Sequence, residues 1–352
     1  MAGKNGRVTF ADIAAYTHFS KTTISRYFNR PETLTEKHRE KIRKALKELN
    51  YQENKVAQIL ARGRTGYIGV ILPNLYLHYF SEMLNQILKT RTYKFIVALG
   101  GETPEMERAH IRELMSYQIE GLIVMSHTLS SKELAGLGIP LVSIEREDEF
   151  ISSVNCDNYM GAVQATSLLV ENGCEVLLHV NSPTPENIPA YQRILGFRDI
   201  CEERGIPHEI FIAQAGESES STSLAMAKVL GEIERKYPAQ KKGIFFSDDT
   251  RANCFLNLLL RKHGTLPCDY RLVGFDDSPI ATESVYTLST VGQQIDVIAG
   301  EAVKLLMEQI EQKKSAGSGS VSDQADPAGR TQPVHKVVTP VLRRRETTEL
   351  TR

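Results

Sequence analysis

Residues 67–73 read YIGVILP, aliphatic and β-branched side chains closed by a proline. The run is too short for a helix and continuously apolar, as a strand covered on both faces is. Residues 94–100 (KFIVALG), 121–127 (GLIVMSH) and 140–146 (PLVSIER) repeat the type, and so do 176–182 (VLLHVNS), 209–214 (EIFIAQ), 242–249 (KGIFFSDD) and 270–277 (YRLVGFDD). Each is followed by a longer amphipathic or loop stretch. That rhythm predicts βαβ units and parallel sheets. Eight such runs exceed the five or six strands that one doubly wound sheet ordinarily holds, so two sheets are expected. A ligand of such sheets sits in the crevice at the carboxyl ends of the strands.

Upstream, residues 8–51 contain no strand-like run. Residues 37–49 place Ile42, Leu46 and Leu49 on one apolar stripe of a helix. Thr9 with Asp12 three residues on is a capping-box start, and Ile13 and Ala14 begin the apolar face of a first helix. A turn at 17–19 ends it, Ser20 caps a second helix, and Ala14 and Ala15 are small enough to let the two approach closely. Two short helices joined by a tight turn, the second opening on polar residues, offer a helix amino terminus to the major groove of DNA. Charge agrees with this. Residues 1–66 carry 14 Lys and Arg against 6 Asp and Glu, and the remainder carries 28 against 37. A basic, polyanion-binding head therefore precedes an acidic body that should not itself bind a phosphate backbone.

Between head and body, residues 54–65 (NKVAQILARGRT) form a short amphipathic hinge, whose helix would be marginal in isolation. Residues 313–333 are rich in Ser, Gly and Pro and poor in apolar side chains, which predicts a disordered insert, and 334–346 (VHKVVTPVLRRRE) returns as a strand. The organisation read from the chain is an all-α helix-turn-helix head over 1–53, a hinge helix and linker over 54–66, and a two-lobed α/β body over 67–346. Five cysteines without a C-x-x-C pair are neither a disulfide framework nor a zinc site, which fits a reducing cytoplasm. Neither a signal-type apolar segment nor a membrane-length one is found. The dinucleotide, P-loop and nucleophile-elbow motifs are absent, so an enzyme is not expected, nor a cofactor or metal.

The run from Val8 to Ala61 resembles the head and hinge of the lactose/galactose-repressor (LacI/GalR) family, in its S-x-x-T-[VI]-S-R core, its L-N-Y and its V-A-Q-x-L-A. It departs at His18, where the family's turn carries Gly. Farther on, IGVILPN, IEGLIVM, GIPLVSIER, YQRILGFRDICEERGI, FFSDDTRA, LVGFDDSP and LSTVGQQ, in this order, resemble the family's effector-binding part over nearly all of 67–311. The resemblance implies two doubly wound parallel-sheet subdomains of periplasmic-binding-protein type. In the head it implies that Lys21 and Thr22 read bases and that Arg26 is a further groove contact. Ser20, Thr23 and Ser25 would contact phosphate or cap the helix, with Thr9, Asn29 and Asn54 completing the DNA-facing set. In the hinge, Val56 and Ala57 would pack on the partner hinge or the groove wall, and Leu60 would wedge between base pairs.

In the body, the resemblance makes Arg193 the ligand-binding arginine, a fork able to hold two oxygens. Asp249 and Asp276 would accept hydrogen bonds from hydroxyls, and Tyr79 and Phe80 would give a stacking face. Arg146 and Gln293 complete the effector set, and Asp157 is structural. The function implied is a cytoplasmic homodimeric repressor of carbohydrate-utilisation genes on double-stranded operator DNA, switched by a small effector, a sugar or sugar phosphate. The alternative keeps the same head under a protein co-effector or a purine-like corepressor.

Overall fold

Thr9 and Asp12 cap each other at the start of α1 (Phe10–Thr17): the Thr9 N–H donates to Asp12 Oδ2 at 2.8 Å and the Asp12 N–H to Thr9 Oγ1 at 3.4 Å. His18 ends the helix in the left-handed region, φ 57°, a conformation that costs a histidine little. Ser20 then caps α2 (Lys21–Asn29) by accepting from the Thr23 N–H at 3.1 Å. A 3-10 turn, Pro31–Thr33, and a Thr35 cap lead into α3 (Glu36–Glu48). Ile13, Ile24, Ile42 and Ala45 are fully buried between the three helices, with Leu46 and Leu49 packed at the margin. Ala15, expected at the helix contact, is exposed; Thr17 is buried instead, its hydroxyl donating to the Ile13 carbonyl at 2.7 Å.

The computed structural model describes residues 8–51, 65–90, 93–101, 103–146, 149–214, 216, 218–317 and 332–349. The chain divides into two units, Met1–Arg64 and Thr65–Arg352. The second unit holds two six-stranded sheets. In the first, β1 (Tyr67–Leu72), β2 (Lys94–Leu99), β3 (Gly121–Val124), β4 (Leu141–Ile144), β5 (Ser152–Cys156) and β11 (His335–Val338) are parallel throughout, in the order β11-β5-β4-β3-β1-β2. The second takes β6 (Val176–Asn181), β7 (His208–Ile212), β8 (Lys242–Phe246), β9 (Tyr270–Asp276), β10 (Ser289–Gly292) and β12 (Val341–Arg343), in the order β12-β10-β9-β8-β6-β7, with only β12 antiparallel. Helices α4 (His78–Leu88), α5 (Pro104–Ser116), α6 (Ser131–Ala135) and α12 (Ile295–Gly317) belong with the first sheet; α7 (Asn158–Glu171), α8 (Gln192–Arg204), α9 (Glu219–Lys236), α10 (Asp249–His263) and α11 (Ile280–Glu283) belong with the second.

All eight expected strands form. The single strand expected over 334–346 is two, because Pro340 lacks a ladder donor and the chain changes sheets at 339–340. It also crosses between lobes after β5 and after β10, so three strands of chain join them. Two boundaries differ from the sequence reading. Residues 313–317 continue α12, and 318–331 lie outside the described residues. The body runs past 346: Thr347 is fully buried, donating from its hydroxyl to the Leu272 carbonyl at 2.8 Å and accepting from the Ser289 N–H at 2.9 Å. Of the hinge, Thr65 and Gly66 are described. The Thr65 hydroxyl donates to the Gln118 carbonyl at 2.7 Å, and the Gly66 N–H donates to Glu120 Oε1 at 2.7 Å.

One glycine sets the position of the site. A Cβ on Gly196 would sit 2.6 Å from the Tyr159 carbonyl oxygen, so only glycine allows α8 to lie this close to α7. That approach brings Arg193, one turn earlier on α8, up to the start of α7.

Candidate functional site

On the head, Lys21, Thr22 and Arg26, a long cation, a hydroxyl and a guanidinium, are exposed on α2. Ser20 and Thr9 are exposed but serve as helix caps. Thr23 is half-buried, its hydroxyl 2.9 Å from Ser20 Oγ, and Ser25 is half-buried beside it. Asn29 is the last residue of α2. Asn54, Val56, Ala57 and Leu60 lie outside the described residues.

In the body, a cavity of about 220 Å³ opens between the lobes at the carboxyl ends of the strands. The first lobe contributes Tyr79, Phe80, His127 and Glu145, and the second contributes Asn181, Arg193, Ser247, Asp248, Arg251, Asp276 and Gln293. Arg193 is fixed on three sides. Its Nε donates to Asn158 Oδ1 at 2.7 Å, one Nη donates to the Ser247 carbonyl at 2.5 Å, and the guanidinium lies 3.8 Å over the Phe275 ring. Asn158 in turn donates to Glu145 Oε2 at 2.9 Å, which links the arginine to the opposite lobe. Asp276 accepts from Gln293 Nε2 at 2.6 Å, and burial raises its carboxyl well above the usual range against the lowering effect of Arg193. Burial, helped by the charge of Arg146, pushes His127 down to about 4 and keeps it neutral.

Four residues that line this cavity each carry a buried polar atom with no hydrogen-bond partner among the described residues: the Tyr79 hydroxyl, Asn181 Nδ2, Gln293 Oε1 and Arg251 Nε. Buried polar groups are ordinarily paired, so orphans contributed by both lobes to one cavity suit a ligand rich in donors and acceptors. Tyr79 and Phe80 meet edge to face at 5.3 Å and supply the apolar side.

The structure brings Tyr79, Phe80, Arg193, Asp276 and Gln293 together, but it gives two expected ligand residues other tasks. Asp249 is fully buried and absent from the cavity wall. Its carboxylate accepts from the Ser278 N–H at 2.8 Å, the Ser278 hydroxyl at 3.1 Å and the Thr290 hydroxyl at 2.6 Å, joining α10 to the ends of β9 and β10. Burial pushes its carboxyl up to about 7. Arg146 is also off the wall: it donates to the carbonyls of Ser126 at 2.6 Å and Leu129 at 2.8 Å and to Ser131 Oγ at 2.8 Å, holding the loop after β3. Asp157, as expected, is structural, capping α7 by accepting from the Met160 N–H at 2.9 Å.

Asp248, Arg251, Asn181 and Glu145 were not legible as site residues. Asp248 stands next to Asp249, the acid that the resemblance singles out. The signal is the cap: the residue before a helix keeps an extended backbone and turns its carboxylate back over the first turn, and Asp248 accepts from the Arg251 N–H at 2.8 Å while pairing with the Arg251 guanidinium.

Three family models match the chain. Bacterial regulatory proteins of the lacI family cover residues 9–54, the periplasmic binding proteins and sugar binding domain of the LacI family cover 65–238, and a periplasmic binding protein-like domain covers 166–348. The chain is 30% identical over 309 residues to the ribose operon repressor of Halalkalibacterium halodurans, covering 87% of this chain and 91% of that one. It is also 30% identical over 311 residues to the sucrose operon repressor of Pediococcus pentosaceus, covering 85% and 91%. Among solved structures, the lac repressor dimer bound to operator and the anti-inducer ONPF matches with a TM-score of 0.77 at 21% identity, over 97% of this chain and 99% of that one.

Proposed function

The chain belongs to the lacI family of bacterial regulatory proteins, and from that premise we propose that it is a cytoplasmic repressor of carbohydrate-utilisation genes whose hold on operator DNA is switched by a sugar in the interlobe cavity. The observation that carries the effector half is the set of four orphaned polar atoms on residues lining the same cavity as Arg193 and the Tyr79–Phe80 face. A polyol offers donors and acceptors to each, and the ring gains an apolar side to lie on. The volume, about 220 Å³, is small for a ligand pocket and favours a single ring.

In the head, Lys21, Thr22 and Arg26 enter the major groove, with Ser20, Thr23, Ser25, Thr9, Asn29 and Asn54 on the phosphates or the caps; Val56, Ala57 and Leu60 act in the minor groove. The repressor works as a homodimer. Supporting this, β2 is an edge strand whose Val97 and Leu99 remain exposed, the kind of edge that a second copy covers.

The test is thermal melting against a panel of pentoses, hexoses and disaccharides that includes D-ribose and sucrose, with operator binding measured for any sugar that raises the melting temperature. A sugar that stabilises the protein and alters operator affinity is the expected result. Stabilisation by a purine base instead would replace the effector class.

A further inference from the structure

The cavity contains the parts of an anion site. The amino terminus of α10, whose unpaired amides and dipole favour negative charge, opens on it, and two guanidiniums, Arg193 and Arg251, stand on its wall. Both features are already answered by the protein. Asp248 fills the cap of α10 and pairs with Arg251, and the two side chains are only 9% and 8% exposed.

We propose that the Asp248–Arg251 pair is a specificity determinant, an internal anion that occupies this corner and restricts the ligand to an uncharged sugar, excluding phosphorylated and carboxylated ones. The inference rests on the reading of the cavity as a sugar site and decides between the sugar and the sugar phosphate.

The charges of the wall support it. Glu145, Asp248 and Asp276 face Arg193 and Arg251, with no lysine among the described residues of the wall. Whether Asp276 is protonated or not, no positive charge is left over. A phosphate would enter a space whose wall is neutral or negative, where an unpaired charge is costly. Arg193 has also committed its Nε and one N–H of an Nη to Asn158 and Ser247, so part of its fork is already taken up by the protein.

Asp248→Asn tests the proposal by a gain. An asparagine caps a helix as well as an aspartate does, so α10 keeps its start, while Arg251 loses its counter-charge. The probes are D-ribose, D-ribose 5-phosphate and inorganic phosphate, titrated calorimetrically into the full chain. The wild type is expected to bind neither phosphate probe in the cavity. Asp248→Asn is expected to bind D-ribose 5-phosphate at least about tenfold more tightly than the wild type does, in competition with inorganic phosphate. The double variant Asp248→Asn/Arg251→Met should lose that gain, which separates the cavity from the basic head. Circular dichroism checks the fold, and Asp248→Ser, which also caps, takes the place of the asparagine variant if that one misfolds. Wild-type protein that binds D-ribose 5-phosphate better than D-ribose, or an asparagine variant no tighter than wild type, overturns the proposal. Failure of every uncharged sugar would overturn the sugar reading instead, while the gain in Asp248→Asn still decides the role of the pair.

Discussion

Arg193 is held by Asn158, the Ser247 carbonyl and the face of Phe275, so its guanidinium meets a ligand with little freedom left to lose. Arg193→Ala should therefore weaken sugar binding by about 1.5–3 kcal/mol, the range for a charge-assisted hydrogen bond, while operator binding persists. Calorimetric titration beside an operator-binding assay reads both. Unchanged sugar affinity would move the site elsewhere, and loss of operator binding as well would make Arg193 a support of the fold. A second residue-scale expectation concerns His179, which is fully buried between the rings of Phe197 and Phe245, with Nδ1 3.0 Å from the Phe245 carbonyl oxygen. Burial pushes it down to about 3. Between that value and the unfolded one near 6.5, the unfolded chain binds the extra proton, so the neutral ring's contribution is complete above about pH 6.5 and is lost as pH falls toward 3. Urea unfolding at pH 7.5 and 5.5 should show this loss, and His179→Phe, which keeps the stacking, should flatten part of the slope. An unaltered slope would assign the acid sensitivity to other groups. Arg193 and Asp276 were legible because their motifs are distinctive, whereas Asp249 was not separable from Asp248 in sequence. Only the fold shows that Gly274, where a Cβ would lie 2.2 Å from Asp249 Oδ1, makes room to bury the second acid of the pair.

Among elements, α2 divides its residues between holding the helix and facing outward. Ser20 caps it, so Ser20→Ala should cost about 1 kcal/mol of head stability and lower affinity for all operators alike. Lys21 is exposed and makes no such contribution, so Lys21→Ala should leave stability within about 0.5 kcal/mol and change which operator is preferred. Selection from a randomised operator library distinguishes the two, and a uniform loss for Lys21→Ala would remove it from the base-reading set. The helices of the head were readable because caps and apolar spacing are local signals. The strands β5 (SSVNC) and β10 (STVG) were not, since both are short and half polar. Their hydroxyls meet partners distant in sequence, Ser153 Oγ with His335 Nδ1 at 2.9 Å and Ser289 Oγ with Thr348 Oγ1 at 2.6 Å. Both strands lead into crossings between the lobes, and it is these crossings that place Arg193 and Glu145 on facing walls of one cavity.

For the whole molecule, the separation of charge predicts that its two ligands respond differently to salt. The head and hinge, residues 1–66, hold 14 Lys and Arg against 6 Asp and Glu, and two copies on a two-fold operator double that excess at the phosphate backbone. Each neutralised phosphate releases counterions, so a dimer making roughly 6–10 phosphate contacts should lose about 10³–10⁵ in operator affinity between 50 and 200 mM salt. The cavity has no surplus positive charge, its ion pair is buried, and an uncharged ring exchanges no counterion. Sugar affinity should therefore stay within about twofold across the same range, because screening acts weakly on buried pairs. Both slopes can be measured on the same full-length protein, operator binding by filter retention or fluorescence anisotropy and sugar binding by calorimetry. A flat operator slope would contradict a head that works through the backbone of DNA. A steep sugar slope would mean that the effector carries a charge, and it would count against the cavity chemistry built on Asp248 and Arg251.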